Sequence, residues 1–219
     1  MSGGSGKKSC ATTTDCEAEI RKMSTKNNSQ ISPSAARKRL GKLRGTPRFI
    51  KRRDPDCMPK VDSKACDIFV GNQSNARDVE NLMKMEIGAV LNCAPSVCKD
   101  PLVAYKKHGI SYLELDLHDK EGFNIIEEAF ESARKFIDKN HKAGRSVLVH
   151  CFAGVNRSAT LVVAYLMMRY KIPLLPLYGR CYKARNGIVS NKSFQLQLCE
   201  LAYKNGLLPS SKARKERAE

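Results

Sequence analysis

The chain has 219 residues, a formal net charge of +17 and 42% hydrophobic side chains, which suits one domain of about 150 residues with tails. No apolar run approaches the roughly 20 residues that span a bilayer, and the first thirty residues lack the apolar core of a secretory signal, so no membrane span is expected. Nine irregularly spaced cysteines without a Cys-x-x-Cys pair support neither a zinc ribbon nor a disulfide framework, so we expect no metal, no cofactor and a reducing location, cytoplasmic and/or nuclear.

Residues 1–60 carry 15 Lys/Arg against 5 Asp/Glu, ten of the seventeen net positive charges. Rich in Ser, Thr, Gly, Lys and Asn, this stretch reads as a disordered basic tail, with one short helix from Ser34 to Leu43. Residues 209–219 make a second basic tail. Tails of this kind keep a chain soluble, direct it to the nucleus or bind acidic partners, and the sequence leaves those roles open. Between them, 61–208 is expected to fold. Asp67 to Gly71 reads as a strand, Ala76 to Met85 as a helix and Ile87 to Cys93 as a second strand. A short helix is expected from Pro101 to Lys107. Leu113, Leu115 and Leu117 alternate with Glu114 and Asp116, the period of a strand with one buried face. Ile126, Ala129, Phe130, Ala133 and Ile137 then mark an amphipathic helix with Asn124 as its candidate cap. Val147, Leu148 and Val149 form a buried strand, and Ala159 to Met168 a helix that is apolar nearly all round. Pro173 breaks the chain before helices over 174–185 and 194–203. Alternating strands and helices predict an α/β fold, a central mostly parallel sheet with helices on both faces, whose ligand lies beyond the C-terminal strand ends.

The loop at such an end, from Cys151 to Arg157, carries the chemistry. Successive N–H groups in a tight loop leading into a helix N-terminus converge on one point and cradle an anion. Cys151 sits at its edge, where the helix dipole and Arg157 favour the thiolate. Arg157 offers a planar fork for two phosphate oxygens, and Gly154 permits a close turn. Phe152, Ala153, Gly154, Val155, Asn156 and Arg157 are therefore the expected phosphate loop. Cys66, Cys93 and Cys199 read as small core residues.

His150-Cys151-x-x-Gly154-x-x-Arg157-Ser158 resembles the Cys-x5-Arg loop of cysteine-dependent tyrosine phosphatases, in its small dual-specificity form; the resemblance runs from about Ile68 to Leu207. It implies a protein tyrosine phosphatase-like fold and hydrolysis of phosphotyrosine and phosphoserine/threonine in proteins through a cysteinyl-phosphate. Phosphoprotein substrates, a kinase among the candidates, would be the partners. A leaving oxygen needs a general acid. Asp116 falls within the strand alternation and Asp119 just after it, free to project over the site; we favour Asp119. Its interval of 32 residues before Cys151, with Asn124-Ile125 following, matches similar phosphatases. Ser158 is expected to donate to the Cys151 sulfur or to cap its helix. His150 adjoins Cys151 on a strand and so points to the opposite face, and the resemblance implies that it orders the loop. Asn191 matches the Asn before the last helix of such proteins, although Ser190 stands where they usually have Pro.

Rival readings remain. Asn156-Arg157 also resembles the loop of cysteine-type RNA 5′-triphosphatases, which would suit the basic tails, but Ser158-Ala159 replaces Thr-Gly there. A phosphoinositide phosphatase would carry Lys in the loop, and none is present. A phosphate-binding pseudophosphatase usually loses the Cys or the Arg, and both are retained. The short core predicts a shallow cleft open to phosphotyrosine and phosphothreonine. Cys93 ends a strand at the same sheet edge and is a candidate disulfide partner for an oxidised Cys151.

Overall fold

The computed structural model describes residues 66–185 and 187–208. The two basic tails and the helix expected from Ser34 to Leu43 lie outside the described residues. Four strands, β1 (Ile68–Gly71), β2 (Ile87–Asn92), β3 (Ser111–Glu114) and β4 (Ser146–His150), pair in parallel in the order β1–β4–β2–β3. The apolar run at 147–149 lies between two neighbours, with Leu148 level with Phe69 on one side and Val90 on the other. Val147 and Val149 turn to one face with Ile68, Val70, Ala89 and Leu91, and Leu148 turns to the other. Both faces are buried, which explains why this run is continuous rather than alternating.

Helices α1 (Gln73–Arg77), α2 (Val79–Lys84) and α3 (Leu102–Lys107) cover the Leu148 face through Ala76, Leu82 and Tyr105. The other face is closed by α4 (Ile125–Lys142), α5 (Arg157–Tyr170), α6 (Leu174–Arg185) and α7 (Lys192–Lys204). Every residue from Ser158 to Tyr165 is buried, so α5 lies in the middle of that layer. Burial of each Leu or Val side chain is worth about 1.5–3 kcal/mol. The loop that enters α5 is thus attached at both ends to largely buried elements.

Four local expectations are corrected. The helix expected over 76–85 is two helices, because Asp78 leaves helical geometry (φ −82°, ψ 74°) and accepts from Asn81 N to start α2. An Asn72–Asn75 capping box starts α1 ahead of it. The Leu113–Leu117 strand ends at Glu114: β3 is an edge strand paired only with β2, and the last rung is Leu115 N to Asn92 O. Leu117 is nonetheless buried. On α4 the buried stripe is Ile125, Ala129, Ala133 and Ile137, with Ile126 and Phe130 only partly covered. Asn124 precedes the helix without a side-chain cap bond; its amide reaches Glu127 instead.

Candidate active site

The loop after β4 turns at Gly154, whose φ of +67° lies in the left-handed region. A Cβ there would press into the Gly71 carbonyl oxygen and stand 2.7 Å from Arg185 Nη2, so only glycine fits. Thr160 ties the loop to α5, donating from both N and Oγ1 to Asn156 O at 2.8 Å. Gln73 N donates to Phe152 O, joining α1 to the same loop. Among the described residues none accepts a hydrogen bond from the main-chain N–H of Phe152, Ala153, Gly154, Val155 or Asn156. A run of unpaired amides at the N-terminus of a buried helix is an anion cradle.

Cys151 lies in this loop with 1% of its surface exposed, and its Sγ accepts from Ser158 Oγ at 3.4 Å. Ser158 is also buried, so its hydroxyl serves the sulfur rather than solvent. Arg157 is mostly covered; its Nη1 donates to Leu117 O at 3.1 Å, while its Nε is buried without a hydrogen-bond partner. A buried guanidinium N–H without an acceptor costs stability unless an anion satisfies it. The nearest carboxylate oxygen to that Nε, Asp119 Oδ2, is 4.0 Å away.

Asp119 is brought to the loop by two amides. Its Oδ2 accepts from Asn156 Nδ2 and its Oδ1 from Asn191 Nδ2, each at 3.1 Å. Asn191 also caps α7, accepting from Ser193 N and Phe194 N. Ser190, the departure from the usual Pro, donates its hydroxyl to Asn156 Oδ1, which also accepts from Asn191 N. The structure therefore unites Asp119, Asn156 and Asn191 at the edge of the loop. Asp116 is directed elsewhere, to Ser96 N at 3.4 Å. Phe152 is 56% exposed at the rim and Ala153 is exposed, whereas Val155 accepts from Val189 N beneath it.

His150 points away from Cys151, as strand geometry requires. Its Nε2 pairs with Asp100 Oδ2 at 2.8 Å, both side chains fully buried, and Asn92 Nδ2 donates to the same oxygen. Asn92 Oδ1 accepts from Ala94 N, so this polar group fixes the turn leaving β2. Sequence reasoning misses Asp100, because an Asp before Pro101 reads locally as an ordinary helix start. It misses Arg185 too. The signal for that residue is a cation completing the buried stripe of α6, Leu174, Leu177, Tyr178, Cys181 and Arg185. Cys93 is the register neighbour of Cys151: Asn92 pairs with His150 one rung earlier, and Cys93 N still donates to His150 O. Burial, and next the charge of Cys151, push the Cys93 thiol well up.

Residues 68–204 match the family model of the dual specificity phosphatase catalytic domain. The chain belongs to that family. Dual specificity protein phosphatase 26 of Bos taurus is 36% identical over 135 residues, 61% of this chain. The match spans 63% of that relative, less than two thirds of its length. The crystal structure of DUSP15 superposes with a TM-score of 0.56 at 27% identity, covering 72% of this chain and 96% of the other. Human DUSP28, at 20% identity and TM-score 0.58, shares the fold over 75% of this chain and 99% of its own. The α/β sheet described above is therefore that of the tyrosine phosphatase-like dual-specificity enzymes. No helix among the described residues is long and apolar enough to cross a membrane.

Proposed function

We propose that this chain is a protein phosphatase that dephosphorylates phosphotyrosine and phosphoserine/threonine through a cysteinyl-phosphate on Cys151. The observation that carries this reading is one loop that holds a buried thiol accepting from Ser158, a run of unpaired amides and a buried guanidinium N–H without a partner. The phosphate of the substrate sits on the amides of 152–156 and on Arg157, which exchanges its Leu117 carbonyl for phosphate oxygens. The Cys151 thiolate attacks phosphorus, the P–O ester bond breaks, and Asp119 gives its proton to the leaving oxygen. The carboxylate then takes a proton from the water that attacks the thiophosphate. The sulfur leaves as a thiolate stabilised by the Ser158 hydroxyl, and inorganic phosphate departs.

The position of Asp119 beside Arg157 favours this reading over a triphosphatase that works without an acid, and the uncharged loop side chains favour a monophosphate ester over a phosphoinositide. Substrates are phosphoproteins in a reducing compartment, cytoplasmic and/or nuclear, and the net positive charge of residues 1–60 and 209–219 would favour acidic partners. The test is a panel of phosphotyrosine and phosphothreonine peptides, run with the wild-type protein and Asp119→Asn. Both peptide classes are expected to turn over. Asp119→Asn is expected to lower kcat on peptides about 10²–10⁴-fold, and to lower it far less on an aryl ester whose leaving group needs no proton. Equal losses on both substrates would remove Asp119 from the acid role, and failure on every phosphothreonine peptide would restrict the function to phosphotyrosine.

Oxidation is a second property of the same site. Neighbouring strands lie about 4.8 Å apart, within the Cα separation a disulfide accepts. Hydrogen peroxide would convert the Cys151 thiolate to a sulfenic acid. That change removes the negative charge that helps to keep Cys93 protonated. Cys93 then displaces the hydroxyl as water to form the disulfide. Peptide mapping without reductant is expected to find Cys93 joined to Cys151 after mild peroxide. Sulfinic acid on Cys151 with Cys93 free would refute the pairing.

A further inference from the structure

Arg185 is the largest fully buried side chain among the described residues, and no carboxylate pairs with it there. It reaches the underside of the phosphate loop from the last residue of α6. Its Nη1 donates to Val70 O at the end of β1, and its Nη2 lies close to where a Cβ on Gly154 would be. Its Nε has no hydrogen-bond partner. An unpaired cation in a protein interior is expensive, and it persists where an anion nearby compensates for it.

We propose that Arg185 is a positioning residue of this phosphatase site, holding the Gly154 turn against β1 and supplying the charge behind the loop that keeps the Cys151 sulfur ionised. This rests on Cys151 being the nucleophile. Burial lowers the Arg185 guanidinium to about 10, and the one charge opposing that fall is Cys151. The charged and titratable groups around Cys151 are Arg157 at the start of α5 with Asp119 4.0 Å from its Nε, Arg185 from α6, and Cys93 and Cys98 from the segment after β2. Of these, the two arginines are the cations. Arg157 faces the substrate, so its charge is engaged by the arriving phosphate. Arg185 lies behind Gly154 and Val70 and keeps its charge on the loop throughout the reaction.

The rate of Cys151 alkylation by iodoacetamide, followed by mass spectrometry from roughly pH 4 to 9, reads the thiolate population. Inhibition by inorganic phosphate reads the shape of the loop. Arg185→Gln is expected to raise the alkylation midpoint by about one pH unit, a tenfold smaller thiolate fraction on the acid side. Arg185→Lys keeps the charge and loses the fork, so it is expected to keep the midpoint and to bind phosphate about tenfold more weakly. A folded Arg185→Gln protein with the wild-type midpoint overturns the proposal. Should that variant not fold, Arg185→Lys decides alone, and either a midpoint displaced by a full unit or wild-type phosphate affinity overturns it. Alkylation of wild-type Cys151 no faster than that of the core cysteines would instead reject Cys151 as the nucleophile, so the two readings fail separately.

Discussion

Replacement of Cys151 by serine is expected to abolish turnover, with kcat falling roughly 10⁴-fold or more while the fold is retained. The substitution is nearly isosteric, and the Cys151 side chain contributes little to the sheet beyond its small apolar volume. What is lost is ionisation. Thiols beside cationic groups and helix N-termini ionise near neutral pH, whereas a serine hydroxyl does not. The cradle itself survives, because Gly154, Arg157 and the amides of 152–156 are untouched. Cys151→Ser is therefore expected to bind phosphopeptide with near wild-type affinity and to release no phosphate. Residual turnover within about tenfold of wild type would mean that another group attacks phosphorus.

Arg157→Lys is the second large effect. Lysine preserves the charge but presents one compact ammonium where phosphate requires two parallel donors. The wild-type side chain has Nη1 on Leu117 O and a buried Nε without a hydrogen-bond partner. As phosphorus changes coordination in the transition state, charge grows on the oxygens the fork holds, so the loss falls on kcat as well as on KM. We expect kcat/KM to drop about 10³-fold, comparable with deletion of a preorganised oxyanion donor. The thermal midpoint should hardly move, because α5 is anchored by its buried residues from Ser158 onward. A rise in KM alone, with kcat intact, would reduce Arg157 to a binding contact.

The parts of this molecule written in contiguous residues are legible from the amino-acid order alone. The run at 147–149 reads as a central strand, and α6 begins and ends where Pro173 and the stripe of Leu174, Leu177, Tyr178 and Cys181 place it. Cys151, Gly154, Arg157 and Ser158 lie within eight residues, so their meeting is dictated by one loop and one helix start. Contacts made across the sequence are not legible in this way. Asp100 meets His150 from 50 residues away and Arg185 meets Val70 from 115; Asp100 leaves no local trace, and the stripe of α6 marks Arg185 as buried without naming its partner. The early end of β3 has the same origin: side-chain alternation continues to Leu117, but the strand stops where β2 runs out of partners. The replacement of Pro by Ser190 reads as a neutral departure, and becomes intelligible once its hydroxyl is found on Asn156. Asn156 in turn is the hinge of the site, since its amide carries Asp119 with one atom and the approach to α7 with the other.

Rapid quenching of the wild-type protein during turnover of a phosphopeptide, followed by peptide mapping, tests the central claim most directly. A phosphoryl group on the sulfur of Cys151, appearing before free phosphate and absent from Cys151→Ser, is the predicted result. Phosphate released in a burst-free reaction with no labelled Cys151, or a label on any other residue, would contradict it.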